Sequence, residues 1–282
     1  MTLLVFGTNG QVATELRAQA GPRRMIALSR AEADLSDPGT CAAQILRHEP
    51  SAVINAAAYT AVDRAEQEED LALTINGKAP GTMAQACANE RLPFLHISTD
   101  YVFAGTGEMP HRPDDPVDPQ NAYGRTKLAG EEAVRAAGGA HAILRTSWVF
   151  SEHGNNFVKT MLRLSETRGA LSIVEDQMGG PTPAAGIASA LLTICDAMLS
   201  GHKGGTYHYA GAPATSWKCF ACETFAQAGR QVDVTGILTA DYPTPAKRPL
   251  NSRLDCASTE TDFGISQPSW KDALTRSLKV LV

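Results

Sequence analysis

Tyr123 and Lys127 stand four positions apart in Tyr123-Gly124-Arg125-Thr126-Lys127. A helix through this segment sets both side chains on one face. There an ammonium stabilises a phenolate and draws a phenol of ordinary pKa near ~10 toward the working range. Upstream, Ser98-Thr99-Asp100 adds the Thr99 hydroxyl, which completes a three-residue proton-transfer set around a carbonyl. Such a set is the chemistry of a nicotinamide-dependent reductase. Tyr-x-x-x-Lys alone is common by chance, so its meaning depends on the elements that position it.

Those elements alternate. Apolar runs at Leu3–Phe6, Met25–Leu28, Ala52–Ile54, Phe94–Ile97 and Ala142–Leu144 read as strands. Helical patterns at Gln11–Ala20, Leu71–Asn89 and Ala122–Ala137 lie between them. The alternation predicts an α/β fold, a doubly wound parallel sheet of Rossmann type, with ligands beyond the carboxyl ends of its strands. The second half is less regular. Met178–Pro183 and Tyr242–Pro249 are rich in turn formers and read as loops, and Trp217–Ala228 as an amphipathic helix. The acidic run Glu66–Asp70 reads as a solvated helix start.

Several loops after the strands suit a dinucleotide. In Gly7-Thr8-Asn9-Gly10-Gln11-Val12-Ala13, Gly7 permits the tight turn and Gly10 the approach of a pyrophosphate. Ala13, in place of a third glycine, is still small enough for close helix–strand packing. The following helix offers amide donors to phosphates. The second strand ends at Ser29-Arg30, which suits a 2′-phosphate and so NADPH, with NADH the alternative; Asp34-Leu35 would border the adenine. Ala56-Ala57-Ala58 would let a cofactor lie against the backbone, although close helix packing explains them equally well.

Composition excludes other classes. The 282 residues carry a net charge of −5, so no basic field holds a nucleic acid. No apolar run is long enough to span a bilayer. The N-terminal segment lacks a basic lead-in and reads as the buried first strand of a cytoplasmic protein. Six scattered cysteines suggest no disulfide framework, and Cys219-Phe220-Ala221-Cys222 has no partnering pair. The histidines form no ligand set.

Longer stretches carry a resemblance. They are Asn55–Asp63, Ser98–Phe103, Tyr123–Glu131, Leu144-Arg-Thr-Ser-Trp-Val-Phe150, Asn155–Phe157, Asp176-Gln177 with Pro181-Thr182, and Arg248-Pro-Leu-Asn-Ser-Arg-Leu-Asp255. In these the chain resembles the dTDP-4-dehydrorhamnose reductases, extended short-chain dehydrogenases/reductases. The resemblance runs from residue 1 to about residue 255 in family order, and the Leu144–Phe150 and Arg248–Asp255 stretches are its most specific parts. It implies that Thr99, Tyr123 and Lys127 are catalytic, with Tyr123 protonating the C4 oxygen as hydride arrives from the nicotinamide. Cofactor contacts would come from Gly7, Asn9, Gly10, Gln11, Val12, Ser29, Arg30, Asp34, Leu35, Ala56, Ala57 and Ala58, with Tyr123 and Lys127. Asp100, Tyr101 and Trp148 match positions contacting the deoxyhexose. Arg248 and Arg253 suit the pyrophosphate, the choice between them left open.

The implied division is residues 1–148 mainly for the dinucleotide, with later segments returning to it, and 149–282 mainly a smaller substrate-binding lobe. Some relatives form a magnesium-bridged dimer through glutamates. Glu15 matches the first of these, but Pro183-Ala184-Ala185-Gly186 and the C-terminal Lys279-Val280-Leu281-Val282 supply no acid. The expectation is therefore no metal, and a homodimer, if any, of another kind. Two other functions compete with the reductase. One is a nucleotide-sugar epimerase or dehydratase of the same superfamily. The other is a non-catalytic subunit like the relatives that regulate a methionine adenosyltransferase, which would not need Thr99, Tyr123 and Lys127.

Overall fold

A computed structural model describes the whole chain, residues 1–282. The five apolar runs form strands β1 (Thr2–Phe6), β2 (Arg24–Leu28), β3 (Ala52–Asn55), β4 (Phe94–Thr99) and β5 (His141–Thr146), and the sheet gains a sixth that the sequence does not announce, β6 (Gly204–His208). They pair in the order β6-β5-β4-β3-β1-β2, every pair parallel. The chain winds both ways from β1, with β2 on one side and β3 on the other. A crevice therefore opens beyond the carboxyl ends of β1 and β3.

Helices cover both faces: α1 (Gln11–Ala18), α2 (Pro38–His48), α3 (Ala79–Asn89), α4 (Ala122–Ala136) and α5 (Ala184–Leu199). Alternate strand residues divide between two cores, as the two-residue period requires. Leu3, Val5, Ile54 and Leu144 pack with Val12 and Leu16 of α1 and Ile187, Leu191 and Ile194 of α5. Leu4, Phe6, Val53 and Ile143 pack with Ile45 of α2, Met83 of α3 and Val134 of α4. The doubly wound parallel sheet is the architecture the alternation predicts. No helix is long and apolar enough to cross a membrane.

Three local features differ from the sequence reading. Helix α2 is an element beyond the helical patterns of the sequence reading, with Cys41 and Ile45 on its buried face. The helical period over Leu71–Asn89 is interrupted, running as a short helix at Glu69–Leu73, a wide π turn at Thr74–Lys78 and then α3. That turn aims the buried Asn76 side chain at the loop after β3. Its Oδ1 accepts from Tyr59 N–H at 2.8 Å, and its Nδ2 donates to Tyr59 O at 3.0 Å and Thr126 Oγ1 at 3.2 Å. The acidic run, finally, does more than start a helix. Glu66 accepts from Ala122 N–H at 2.7 Å, and Glu69 takes both Arg125 Nε and Nη2 at 2.8 Å. These carboxylates support the first turn of α4, where unpaired amides favour negative charge.

The later residues build smaller layers. Phe150, Val158, Phe220, Trp270, Leu274 and Leu278 form one apolar cluster, and Met161, Leu171 and Phe225 another. Ala170–Val174 pairs in parallel with Asp233–Ile237. Part of the Met178–Pro183 loop is strand: Met178–Gly179 pairs with Thr215–Ser216 and Asn251–Ser252, and Thr182–Pro183 with Val149–Phe150. These partners lie far away in sequence, so no local pattern announces the pairings.

Candidate active site

A cleft of about 860 Å³ opens at the carboxyl ends of β1, β3, β4 and β5. Its lining holds most of the sequence-derived candidates: Gly7, Asn9, Gly10, Gln11, Val12, Arg30, Asp34, Leu35, Ala56, Ala57, Ala58, Thr99, Asp100, Tyr101, Tyr123, Lys127 and Trp148. Ser29, Arg248 and Arg253 are not in the lining.

The proton-transfer set sits where β4 meets α4. Strand β4 ends at Thr99, whose Oγ1 accepts from Tyr101 N–H at 3.2 Å and donates to Asp100 Oδ1 at 3.1 Å, starting a tight turn. Asn121 caps α4, its Oδ1 accepting from Gly124 N–H at 2.8 Å. Asn121 Nδ2 also donates to Lys247 O at 2.8 Å and so fixes the Tyr242–Pro249 loop to the same helix end. Gly124 is required there, because a Cβ would run into the Tyr101 carbonyl. Tyr123 is half-buried, edge-on to Tyr101 with ring centroids 5.4 Å apart. Burial pushes its phenol up to about 12, opposed by a hydrogen bond with the Thr99 hydroxyl.

Lys127, 2% exposed, lies beneath it. Its Nζ donates to Ile97 O at 2.6 Å and stands 3.2 Å from His96 Nε2. Burial pulls the ammonium down to about 8, with the Glu131 carboxylate one turn on opposing this. Burial, with any charge on Lys127 adding to it, holds His96 well below its ordinary value, so it is neutral. Burial raises Asp100 to about 6.

The cleft has the features of a dinucleotide site. Gly7 has φ +109°, a conformation that side chains disfavour, and it packs at ordinary contact distance on the Ala56 backbone. Gly10 precedes α1 with no side-chain cap, leaving first-turn amides for an anion. Thr146 Oγ1 is buried without a partner at the end of β5, while Ser98 and Asp100 at the end of β4 lie beside Glu131 and Ser252. An unpaired buried polar atom is costly, which argues that a ligand satisfies it. At the end of β2, Ser29 turns away from the lining because Glu32 accepts from its N–H at 2.8 Å and its hydroxyl at 2.7 Å. Arg30 pairs with Asp34 at 3.1 Å.

The arginines differ from one another. Arg248 Nη2 donates to Asp63 at 2.7 Å, while its Nη1 is buried without a partner. Arg253 is drawn away, its Nη1 donating to Glu108 O at 3.2 Å and Asn251 Oδ1 at 3.0 Å. Trp148 takes the left-handed conformation, φ +49°, and stacks on Trp217 at 3.6 Å. Gly179 leaves the room, since a Cβ would lie 2.7 Å from the Trp148 ring.

Sequence reasoning missed several contributors. Arg145, within the Leu144–Phe150 stretch, is structural: its Nε and Nη2 donate to the fully buried Glu131 at 2.9 and 2.7 Å, bracing α4 against β5. Asn55 and His96 join the Lys127 network, and Trp217 backs Trp148, though no spacing links these residues in sequence. Glu15, Glu152 and His153 also lie within 4.8 Å of one another, close enough to share a cation. Cys219 and Cys222 are exposed on their helix.

Comparison with known proteins gives a consistent family. The family model described as RmlD substrate binding domain matches residues 1–282. A dTDP-4-dehydrorhamnose reductase of Sinorhizobium fredii is 43% identical over 290 residues, covering 100% of this chain and 98% of that protein. The crystal structure of a dTDP-4-dehydrorhamnose reductase from Clostridium acetobutylicum superposes with a TM-score of 0.95 at 37% identity, over 100% of this chain and 99% of that one. The Bacillus anthracis dTDP-4-dehydrorhamnose reductase, in complex with NADP, gives 0.92 at 32% identity, over 99% of each chain.

Proposed function

The chain belongs to the dTDP-4-dehydrorhamnose reductase family, and from that premise we infer that its cleft reduces the C4 ketone of dTDP-4-dehydro-L-rhamnose to the alcohol of dTDP-L-rhamnose. The observation that carries this reading is the meeting of Thr99, Tyr123 and Lys127 beside the unpartnered Thr146 hydroxyl in one cleft. A bound reduced nicotinamide supplies the hydride that arrives at C4. Tyr123 gives its phenolic proton to the ketone oxygen. Thr99, turning its one hydroxyl proton from Asp100 to the substrate, holds that oxygen by a hydrogen bond. Lys127, when charged, stabilises the same phenolate.

Residues 1–148 are proposed to hold the cofactor, with Gly7–Val12 at its phosphates, Ala56–Ala58 along its length, Asp34 and Leu35 near the adenine, and Tyr123 with Lys127 at the nicotinamide ribose. NADPH is the proposed donor. The Arg30 side chain is 77% exposed and free to exchange Asp34 for a 2′-phosphate. Ser29 would leave Glu32 in the same exchange, and these two carboxylates keep NADH a competitor. Residues 149–282 would mainly carry the sugar nucleotide. Asp100, Tyr101 and Trp148 face the deoxyhexose in this reading. Arg248, with its unpartnered Nη1, is favoured over Arg253 for the pyrophosphate.

The test is stoichiometric. NADPH absorbance should fall by one equivalent per equivalent of ketosugar. Turnover with catalytic NAD and no net absorbance change would instead establish an epimerase or dehydratase, and cofactor binding with no turnover a regulatory subunit.

A further inference from the structure

Beneath the catalytic lysine runs a chain of buried polar contacts whose direction is fixed at one end. Ala57 N–H, which can only donate, lies 3.1 Å from Asn55 Oδ1. The orientation of the Asn55 amide follows, and its Nδ2, also only a donor, faces His96 Nδ1 at 3.2 Å. His96 Nδ1 must therefore accept, and the neutral ring carries its proton on Nε2. That N–H points at Lys127 Nζ, 3.2 Å away. An ammonium has no lone pair to receive it, whereas a free amine does. As an amine, Nζ accepts from His96 and still donates to Ile97 O at 2.6 Å. Asn55, His96 and Lys127 are 1%, 0% and 2% exposed, so water does not relieve a donor–donor conflict.

We propose that His96, oriented by Asn55, donates from Nε2 to Lys127 Nζ and keeps it a free amine until a bound dinucleotide offers acceptors for the ammonium. Cofactor binding then draws a proton onto Lys127, whose ammonium turns from His96 Nε2 to the acceptors of the dinucleotide. His96 is thus a positioning residue that delays the catalytic charge until the hydride donor is in place. The other groups facing Lys127 are Tyr123 and Glu131 on its own helix. Glu131 is occupied by Arg145 from β5 and by Arg135, so little of its charge is left to favour the ammonium. The depressed Lys127 pKa agrees in direction.

The linkage to binding rests on the nicotinamide reading; the free-protein state of Lys127 does not. Calorimetric titration of NADPH at about pH 8.5, in buffers of different ionisation enthalpy, should show uptake of more than about half a proton. His96→Gln, which places an amide oxygen against an ammonium formed beforehand, should bring uptake near zero, and so should Lys127→Met. Binding without uptake in the wild-type protein, or undiminished uptake in His96→Gln, would overturn the proposal. The ¹⁵N resonance of Lys127 Nζ in the free wild-type protein at the same pH needs neither variant nor cofactor. An amine shift upholds the tautomer argument and an ammonium shift refutes it. Failure of NADPH to bind would overturn the cofactor reading separately.

Discussion

Replacing Tyr123 with phenylalanine removes one hydroxyl, and the structure separates its consequences. In the native site burial holds the phenol near 12, so releasing its proton starts about two tenfold steps less favourably than in water, or ~3 kcal/mol. A charged Lys127 on the same helix face lowers that cost. Tyr123→Phe has no proton to give, and turnover should fall about 10²- to 10⁴-fold, as expected for loss of a general acid. Thr99 Oγ1 keeps Asp100 and the Tyr101 N–H, so no buried group is orphaned and stability should change by less than ~1 kcal/mol. NADPH affinity should fall by no more than about tenfold, the loss of one ribose hydrogen bond, because the backbone donors at Gly7–Val12 are untouched. Steady-state NADPH oxidation, fluorescence titration and denaturant unfolding read the three effects separately. Turnover within about threefold of wild type would refute the assignment of Tyr123 as the acid.

Other perturbations test other parts. Glu131→Ala strands the buried Arg145 guanidinium and should cost about 3–5 kcal/mol, lowering Tm by on the order of 10 °C in a thermal melt. Because Arg145 holds the Glu131 carboxyl below its ordinary value, the pair's contribution is complete above about pH 4.3 and is lost as pH falls through the lower folded value; the wild-type advantage over Glu131→Ala in unfolding experiments should shrink over that window. Arg30→Asp should reverse any preference for NADPH over NADH, and unchanged kinetics with both would show that Arg30 does not read the 2′-phosphate. Arg248→Met should raise KM for the sugar nucleotide about tenfold or more with NADPH affinity unchanged, as loss of a charge-assisted hydrogen bond implies; an unchanged KM would place the pyrophosphate elsewhere.

Local signals carried the sheet and the centre of the cleft. Gly7 and Gly10 follow an apolar run and precede a helical period, so the turn and its amides are legible without any tertiary contact. Ser98-Thr99-Asp100 is conspicuous because three polar residues end a buried strand, and Tyr123 and Lys127 declare a shared helix face by spacing. What stayed hidden depends on register between distant segments. Asp63 meets Arg248 across 185 positions. His96 looks like one more residue of an apolar strand until β3 and α4 close on its two sides. The π turn that aims Asn76 has no local pattern of its own. Arg145 shows the converse, since its place in a specific stretch drew attention to function where the structure gives a buried brace. Ser29 and Arg30 were legible as residues but not as partners of Glu32 and Asp34.

Transfer of hydride to the sugar carbon is the most direct measure of the account. With NADPH deuterated at the transferring position and dTDP-4-dehydro-L-rhamnose, mass spectrometry should find dTDP-L-rhamnose one mass unit heavier, with the deuterium at C4. A product without deuterium, or with it at another carbon, would contradict reduction of the C4 ketone in this cleft.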